Sequence, residues 1–290
     1  MGDTKTRWTR ASLITKSTRE LEAVNIGDAR RNVEWILCEL LKCNRASLYA
    51  HPEAEIPPAI LPVFEAMLDR RQKREPLQYI LGYTIFCGLR IDVTPDVLIP
   101  RPETESLVVR ATEILSPIQK AGVLDIGAGS GCIPLAIKHA APDARVSSCD
   151  VSHNALAIAK KNATALDLDV HFFHNDILTK KIQLPEEEKF HLIISNPPYI
   201  PETEYLALDT EVKDHEPGLA LTTGDDPLRF YRAIAQAATQ RLHQGGHLLV
   251  ETHCDYANAT ADCFKDAGFI NAQVLQDLTG RDRFVRAYWP

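Results

Sequence analysis

Strand-like and helix-like segments alternate along the last 170 residues, and this alternation constrains the fold more than any other feature. An apolar strand pattern, AGVLDIGAG, is followed by a helical pattern, then by another strand pattern, and so on to the C-terminus. Such alternation predicts an α/β domain with a parallel sheet covered by helices on both faces. The last two strand patterns, FINAQVLQD and RFVRAYW, are too close together for a crossover helix. One C-terminal strand is therefore expected to run antiparallel to the others.

The first 75 residues differ from the rest in pattern and in charge. Apolar side chains recur at helical spacing after Gly27 and again after Pro57-Pro58, without strand-like alternation between them. This part contains 13 basic and 11 acidic residues, a net of +2, whereas the remaining 215 residues contain 19 and 28, a net of −9. We interpret it as a small helical domain, with Asp28 as a helix N-cap. Because it lacks acid–base clusters, it is expected to hold a partner rather than to perform chemistry.

A short β-rich stretch separates the two patterns. Between Leu77 and Leu98 lie the segments YILGYTIF and LRIDV, with Cys87-Gly88 between them. This arrangement predicts a β-hairpin that links two domains. The predicted division is a helical substrate-recognition domain, a hairpin linker and a catalytic α/β domain, at residues 1–75, 76–98 and 99–290.

Composition disfavours several classes of protein. A net charge of −7 argues against sequence-independent binding of nucleic acid. No apolar run approaches the roughly 20 residues of a membrane helix, and the first residues lack the apolar segment of a signal peptide, so a cytoplasmic location is expected. The seven cysteines form no C-x-x-C pair, and no histidine is paired with a carboxylate at metal-binding spacing. The expectation is reduced thiols and no metal site.

A glycine-rich loop, DIGAGSG, follows the first strand of the α/β domain at Asp125–Gly131. Glycine lets the backbone turn tightly and approach a ligand closely, and the start of the next helix offers unpaired N–H groups. The loop indicates a nucleotide-like ligand, although a tight strand-to-helix turn would need the same residues. The dinucleotide pattern G-x-G-x-x-G requires glycine at the position of Cys132. NAD and FAD are therefore disfavoured.

Acidic side chains follow the next two strands. Asp150 closes the second strand, where a carboxylate can accept from both hydroxyls of a ribose; it could equally cap the helix that begins near Ser152. Asp176 and Ile177 follow the third strand and would suit the amino group and the face of an adenine. A helix cap or a turn is an equal alternative for them.

The fourth strand ends in Ser-Asn-Pro-Pro-Tyr at residues 195–199, the most specific feature of the chain. Two consecutive prolines have fixed φ angles and lack N–H donors, so they leave rigid carbonyl acceptors. Asn196 adds a side-chain acceptor, and Tyr199 offers a flat face on which a planar group can lie. The set suits an amide or an aromatic amine as substrate.

These residues together resemble a known family. The order D-x-G-x-G-x-G, acidic Asp150 and N-P-P-Y is similar to that of class I S-adenosylmethionine-dependent methyltransferases that alkylate planar nitrogens. Within that class, LIPRPETE at Leu98–Glu105 and NPPYI resemble the release factor glutamine methyltransferases, the HemK/PrmC family. The resemblance runs from about Pro76 to the C-terminus, and the helical front fits the N-terminal domain of that family. It also covers three further segments: Glu216-Pro-x-x-Ala220-Leu221, Tyr231-Arg232 and Gly280-Arg-Asp-Arg283.

The resemblance implies a fold, a reaction and a set of site residues. The fold would be a Rossmann-like, mostly parallel sheet with one antiparallel C-terminal strand. The reaction would be methylation of the glutamine in the Gly-Gly-Gln motif of bacterial-type peptide chain release factors. Separately from the resemblance, we expect a monomer that binds neither membrane nor nucleic acid. S-adenosyl-L-methionine would be bound by Gly127, Ala128, Gly129, Ser130, Gly131, Asp150, Asp176, Ile177 and Asn196. The substrate glutamine would be held, and transfer catalysed, by Asn196, Pro197, Pro198 and Tyr199.

Two positions depart from the family pattern. The family has Gly-Leu where this chain has Asp226-Pro227, and Glu-Ile-Gly where this chain has Glu251-Thr252-His253. Neither departure is expected to touch the core of the site. The role of Arg101 is not assigned by the sequence.

Two other functions stay open. An adenine-N6 or cytosine-N4 nucleic-acid methyltransferase would use the same Asn-Pro-Pro-Tyr segment on a flipped base. The net −9 of the catalytic part, the lack of a large basic insertion and the LIPRPETE segment argue against it. A non-catalytic adaptor that binds a translation partner through residues 1–75 is the second alternative. The complete glycine loop and the intact Asn-Pro-Pro-Tyr segment argue against lost catalysis.

Overall fold

The computed structural model describes residues 7–179 and 188–290. Packing divides the chain into two compact units. One unit comprises Met1–Gly82 and Thr210–His215, and the other comprises Tyr83–Asp209 and Glu216–Pro290. No helix among the described residues has the length and apolarity that crossing a bilayer requires.

The first unit is helical, as its sequence pattern predicts. Its core consists of buried apolar side chains such as Leu21, Ile36 and Phe64. The buried side chain of Arg71 donates to Glu211 at 2.7 Å and so holds the Thr210–His215 segment. The helices before that segment are α1 (Arg10–Ala23), α2 (Ala29–Leu41), α3 (Arg45–Ala50), α4 (Leu61–Gln72) and α5 (Leu77–Leu81).

Two local predictions for this region need correction. Asp28 stands at the N-cap position of α2, but its side chain makes no capping hydrogen bond and its backbone is left-handed, with φ of 49°. The segment before Gly82 is helix α5 rather than strand. Pro76 starts this helix with a fixed φ, and Gly82, with φ of 82°, ends it in the left-handed conformation that glycine favours. The buried side chain of Ile80 then packs in the helical core.

The second unit begins with the predicted hairpin. Strands β1 (Tyr83–Phe86) and β2 (Leu89–Asp92) pair antiparallel. Cys87 and Gly88 form the two-residue turn between them, and both have positive φ angles, 48° and 77°. Positive φ at both central residues is the conformation of the tightest hairpin turns.

A mostly parallel sheet forms the centre of the second unit, which confirms the predicted fold class. Among the described residues it has seven strands in the order β10-β11-β9-β6-β3-β4-β5, and β11 runs antiparallel to the other six. A further short pair, β7 (Ile200–Pro201) and β8 (Thr222–Gly224), lies outside it. The strands of the sheet are β3 (Gly122–Ile126), β4 (Arg145–Asp150), β5 (His171–His174), β6 (Phe190–Ser195), β9 (Leu242–Glu251), β10 (Ile270–Gln276) and β11 (Asp282–Tyr288).

Helices connect these strands, and the central strands are buried. Leu124, Ile193 and Leu248 are fully buried, as the continuous apolar runs of parallel strands require. The helices are α6 (Pro102–Leu115), α7 (Cys132–Ala140), α8 (His153–Leu166), α9 (Glu202–Tyr205), α11 (Arg229–Arg241) and α12 (Ala257–Asp266), with α10 (Thr210–Lys213) belonging to the first unit.

The register of the sheet brings the predicted site together. Ile126, the last residue of β3, pairs with Ser195 on one side and with Cys149 on the other. The glycine loop, Asp150 and Asn196 therefore lie at the same edge of the sheet. Ligands of open parallel sheets bind at this carboxyl edge.

Candidate active site

A cavity of about 300 Å³ lies over the carboxyl ends of β3, β4 and β6. Its size is at the lower end of small-molecule sites, which span roughly 300–1,000 Å³. Gly131 and Tyr199 do not line it, although the sequence predicts both as site residues. The predicted residues that do line it are Gly127, Ala128, Gly129, Ser130, Asp150, Asp176, Ile177, Asn196, Pro197 and Pro198.

The three glycines of the loop share a left-handed backbone but differ in their surroundings. All have positive φ angles, 93° at Gly127, 52° at Gly129 and 82° at Gly131. A Cβ added at Gly131 would lie 3.2 Å from the Cα of Ala159, so this glycine permits close packing of the loop on α8. A Cβ added at Gly129 would meet no atom within 4 Å. The backbone at Gly129 is therefore the part of the loop that a ligand can approach.

Asp150 lines the cavity and organises the loop. Its Oδ2 accepts from the backbone N–H of Gly129 at 2.9 Å, and its Oδ1 accepts from that of Ser152 at 2.8 Å. Burial raises the pKa of the carboxyl, while these hydrogen bonds oppose the rise. The N-cap of α8 is Ser152, whose Oγ accepts from the N–H of Ala155. The capping alternative for Asp150 is therefore wrong.

Asp176 and Ile177 follow β5 in the chain and line the same cavity as Asp150. Oδ1 of Asp176 accepts from the N–H of Leu178 at 2.9 Å and so begins the short helical turn Ile177–Thr179. Ile177 is buried in the core of the second unit. Asp176 thus has the turn role that the sequence left as one alternative, and its contact with an adenine stays a prediction.

A hydrogen-bonded network connects the two ends of the Asn-Pro-Pro-Tyr segment. Nδ2 of Asn196 donates to Oγ1 of Thr104 at 3.2 Å, and that hydroxyl donates to Oε2 of Glu251 at 2.7 Å. The Tyr199 hydroxyl donates to Oε1 of the same carboxylate at 3.4 Å. The Tyr199 ring packs against the core, so its predicted role as a stacking face for substrate stays untested by this geometry.

Burial perturbs the acid–base behaviour of this network. It raises the pKa of Glu251 to about 7, although the hydrogen bond from Thr104 and the positive charge of Arg283 act in the opposite direction. Burial and the neighbouring carboxylate of Glu251 also raise the pKa of Tyr199 well above its usual range. Perturbed groups beside a cavity are typical of functional sites.

Sequence reasoning missed several residues of this site. Thr104 belongs to the LIPRPETE segment, which carries the family resemblance but had no assigned chemistry. Arg101 of the same segment donates to Oε1 of Glu216 at 2.5 Å, and Oε2 of Glu216 accepts from the backbone N–H of Ile99 at 3.2 Å. These bonds join two of the segments that resemble the family, and residues from both line the cavity. Phe230 and Ile234 of α11 complete its apolar wall.

The two departures from the family pattern lie in different surroundings. Asp226 accepts from the N–H of Leu228 near the start of α11, and neither Asp226 nor Pro227 lines the cavity. At the other departure, the ring of His253 lies 6.3 Å from that of Tyr199. Neither Thr252 nor His253 lines the cavity, and the expectation that neither departure touches the core of the site stays a prediction.

One trio of side chains in the described part of the chain is close enough to share a cation. Nitrogen, sulfur and oxygen atoms of His253, Cys254 and Asp255 lie within 4.8 Å of one another. Both ring nitrogens of this histidine already have partners, since Nδ1 accepts from the N–H of Asp255 and Nε2 faces Glu204 at 3.2 Å. We assign no metal site to these residues.

Comparison with known sequences gives matches over most of the chain. Residues 12–82 match the family model of the PrmC N-terminal domain, and residues 83–211 match that of the methyltransferase small domain. A release factor glutamine methyltransferase from Geobacter sulfurreducens is 40% identical over 96% of this chain and 93% of its own. Another from Cereibacter sphaeroides is 38% identical over 97% of this chain and 98% of its own.

Solved structures share the fold at low sequence identity. The T. thermophilus 16S rRNA methyltransferase RsmC, in complex with AdoMet and guanosine, matches 72% of this chain and 50% of its own, with a TM-score of 0.52 and 20% identity. The hMettl16 catalytic domain matches 70% of this chain and 75% of its own, with a TM-score of 0.55 and 16% identity. Both likenesses support the class I methyltransferase fold of the second unit.

Proposed function

Because the chain belongs to the family of release factor glutamine methyltransferases, we propose that it methylates the glutamine of a Gly-Gly-Gln motif in a bacterial-type release factor, with S-adenosylmethionine as methyl donor. The observation that supports this most directly is the surroundings of Asn196. Its side-chain amide is held by Thr104 at the wall of a cavity that the glycine loop and Asp150 also line. A planar amide and a nucleoside-bearing ligand could therefore meet in one enclosed space.

The residues around the cavity fit S-adenosylmethionine. The open backbone at Gly129 leaves room for its methionine part, and the carboxylate of Asp150 can accept from ribose hydroxyls. Ile177 offers an apolar surface for the adenine, next to the Asp176 carboxylate. When bound, S-adenosylmethionine supplies an electrophilic methyl group on a sulfonium. The protein has to bind it, exclude water and present the nucleophile.

The nucleophile in this reaction is weak, which explains what the site needs. An amide nitrogen shares its lone pair with the carbonyl, so it must be held in line with the methyl group at near-attack distance. No described residue donates to Oδ1 of Asn196, which leaves this oxygen to accept from the substrate NH₂ group. The carbonyl of Pro197 is a second acceptor for the same group. The nitrogen becomes acidic once it is alkylated and then loses its proton to water, so a strong base is not required.

Methyl transfer to purified substrates tests the proposed function. We expect label from S-adenosylmethionine to appear on a release factor and to disappear when the glutamine of its Gly-Gly-Gln motif is replaced by alanine. DNA and RNA pools should stay unlabelled, because the catalytic part carries a net negative charge and lacks a basic insertion. Transfer to a nucleic-acid pool in place of the release factor would favour the alternative enzyme, and transfer to none of them would contradict the proposal.

The helical unit supplies recognition in this proposal. Its separate core suggests a docking module for the folded release factor, and the enzyme is proposed to act as a monomer in the cytoplasm, where translation takes place. Such a module would increase the local concentration of the substrate glutamine without taking part in chemistry.

Removal of residues 1–82 tests this division of labour. Cofactor affinity should stay nearly unchanged, since the cavity is lined by residues of the second unit alone. Transfer to an intact release factor should fall far more than transfer to a short Gly-Gly-Gln peptide. The measurement is kcat/KM on both substrates, with cofactor affinity as the control for folding. An equal loss on the two substrates would contradict a recognition role.

A further inference from the structure

Two buried side chains next to the proposed substrate site have no role in the chemistry described above. We infer that Thr104 and Glu251 are positioning residues, which orient the Asn196 amide so that its carbonyl oxygen, and not its NH₂ group, faces the substrate glutamine. The inference rests on the proposed function, because it concerns how that site presents an acceptor to an amide.

The direction of the hydrogen bonds is the basis of the inference. An ionised carboxylate can only accept, so the Thr104 hydroxyl must donate its one proton to Oε2 of Glu251, 2.7 Å away. The same oxygen of Thr104 can then only accept from Asn196, 3.2 Å away. Of the two ends of the asparagine amide, only the NH₂ group can donate. Glu251 therefore determines, through Thr104, which end of the amide remains for the substrate.

Without this constraint the side-chain amide of Asn196 could flip, so that its oxygen and its NH₂ group exchange positions. A threonine hydroxyl that was free to donate could bond to Oδ1 of Asn196, and the asparagine NH₂ would then face the NH₂ of the substrate glutamine. Two donors facing each other repel, so the substrate nitrogen would lose its acceptor. The two amide orientations have nearly the same shape, which means that hydrogen bonding, not packing, must choose between them.

Burial and further hydrogen bonds stabilise one arrangement of the network formed by Asn196, Thr104 and Glu251. Thr104 is 2% exposed and Glu251 is 1% exposed, so water does not compete for these bonds. The other carboxylate oxygen of Glu251 accepts from Tyr199, and the backbone carbonyl of Glu251 accepts from the Tyr231 hydroxyl at 3.2 Å. Residues of α6, β9 and α11 are thereby joined to both ends of the Asn-Pro-Pro-Tyr segment.

Protonation of Glu251 would release the constraint. The charged and titratable groups that act on it are Tyr199, Arg283 and Glu103, with Tyr231 at its backbone carbonyl. Arg283 favours the ionised form, whereas burial and Glu103 favour the protonated form. A protonated carboxyl could donate to Thr104, which frees the threonine proton for Oδ1 of Asn196. Lower pH and loss of the carboxylate should therefore have the same effect on transfer.

Substitution of Thr104 provides the first test, in the full-length enzyme with a release factor as substrate. Thr104→Val keeps the shape but removes the hydroxyl, and we expect it to lower the single-turnover rate at saturating substrate up to about 100-fold. The KM for release factor and the affinity for S-adenosylmethionine should change little. Thr104→Ser, which keeps the hydroxyl, should restore most of the rate. Thr112→Val is the matched control, because that hydroxyl bonds only to backbone carbonyls of the same helix.

Substitution of Glu251 provides the second test. In the wild type, the transfer rate should fall as the pH is lowered through about 7, the pKa to which burial raises this carboxyl. Glu251→Gln can donate to Thr104 at every pH. Its transfer rate should therefore be low and should not show the fall near pH 7. Unchanged rates in Thr104→Val, equal losses in Thr104→Val and Thr104→Ser, or a pH-dependent fall that persists in Glu251→Gln would each overturn the inference. A wild-type enzyme that transfers no methyl group to release factor would instead overturn the proposed function itself.

Discussion

Replacement of Asn196 by alanine is expected to slow methyl transfer by roughly 100- to 1000-fold, the usual effect of removing one preorganised polar partner of a developing charge. The effect should be large because the substrate amide is a poor nucleophile and depends on a fixed acceptor for its orientation. Binding of S-adenosylmethionine should weaken only modestly, since the glycine loop and Asp150 keep their mutual hydrogen bond in the variant. Single-turnover transfer to release factor, with cofactor affinity in parallel, separates the two effects.

Two further variants sharpen this test. Asn196→Asp keeps an acceptor oxygen and should keep part of the activity, but its carboxylate cannot donate to Thr104. Asn258→Ala removes an asparagine from the exposed surface of α12 and should behave as the wild type. A rate close to that of the wild type in Asn196→Ala would mean that the Asn-Pro-Pro-Tyr segment does not hold the substrate amide.

Replacement of Asp150 by alanine is expected to weaken binding of S-adenosylmethionine by about 1.5–3 kcal/mol, the typical effect of losing a hydrogen bond to a charged group. This corresponds to roughly a 10- to 150-fold rise in Kd. Two losses combine in this variant. The ribose hydroxyls lose their proposed acceptor, and the N–H of Gly129 loses the carboxylate to which it donates.

Titration calorimetry with wild type and variant measures the change directly. Asp150→Asn keeps one acceptor oxygen and should lie between the wild type and the alanine variant. Asp143→Ala removes an exposed carboxylate just before β4 and serves as the matched control. Equal affinity of the wild type and Asp150→Ala for the cofactor would show that Asp150 does not contribute to cofactor binding.

The architecture of the catalytic unit was predictable because it depends on local patterns. The alternation of strand and helix patterns predicted the parallel sheet, and the short gap between the last two strands predicted that one C-terminal strand runs antiparallel. Both are confirmed by the sheet. The prediction was wrong where local signals competed. The β-rich residues around Ile80 form helix α5, because Pro76 and Gly82 set its ends and Ile80 packs in the helical core.

The candidate site was predictable only in part, for a related reason. Residues that follow strand ends, such as Asp150, Asp176 and Asn196, line the cavity because parallel strands end at one edge. The roles of neighbouring side chains were harder to predict from the sequence. Tyr199 follows the same strand end, yet its hydroxyl bonds to Glu251 and its ring packs in the core. Strand order determines where a residue lies, but not where its side chain points.

The sequence by itself determined the order of strands and helices, the positive-φ turns at glycine and the edge at which polar residues gather, because these follow from short-range periodicity and backbone sterics. Only the tertiary structure decided which donors and acceptors meet. Thr104 and Glu251 are 147 positions apart, and Arg101 and Glu216 are 115 apart. A hydrogen bond forms only within a few tenths of an ångström of its ideal length and within a limited range of angles. Such contacts therefore depend on how α6, β9 and the loops around the cavity pack together, and no pattern of neighbouring residues specifies that packing.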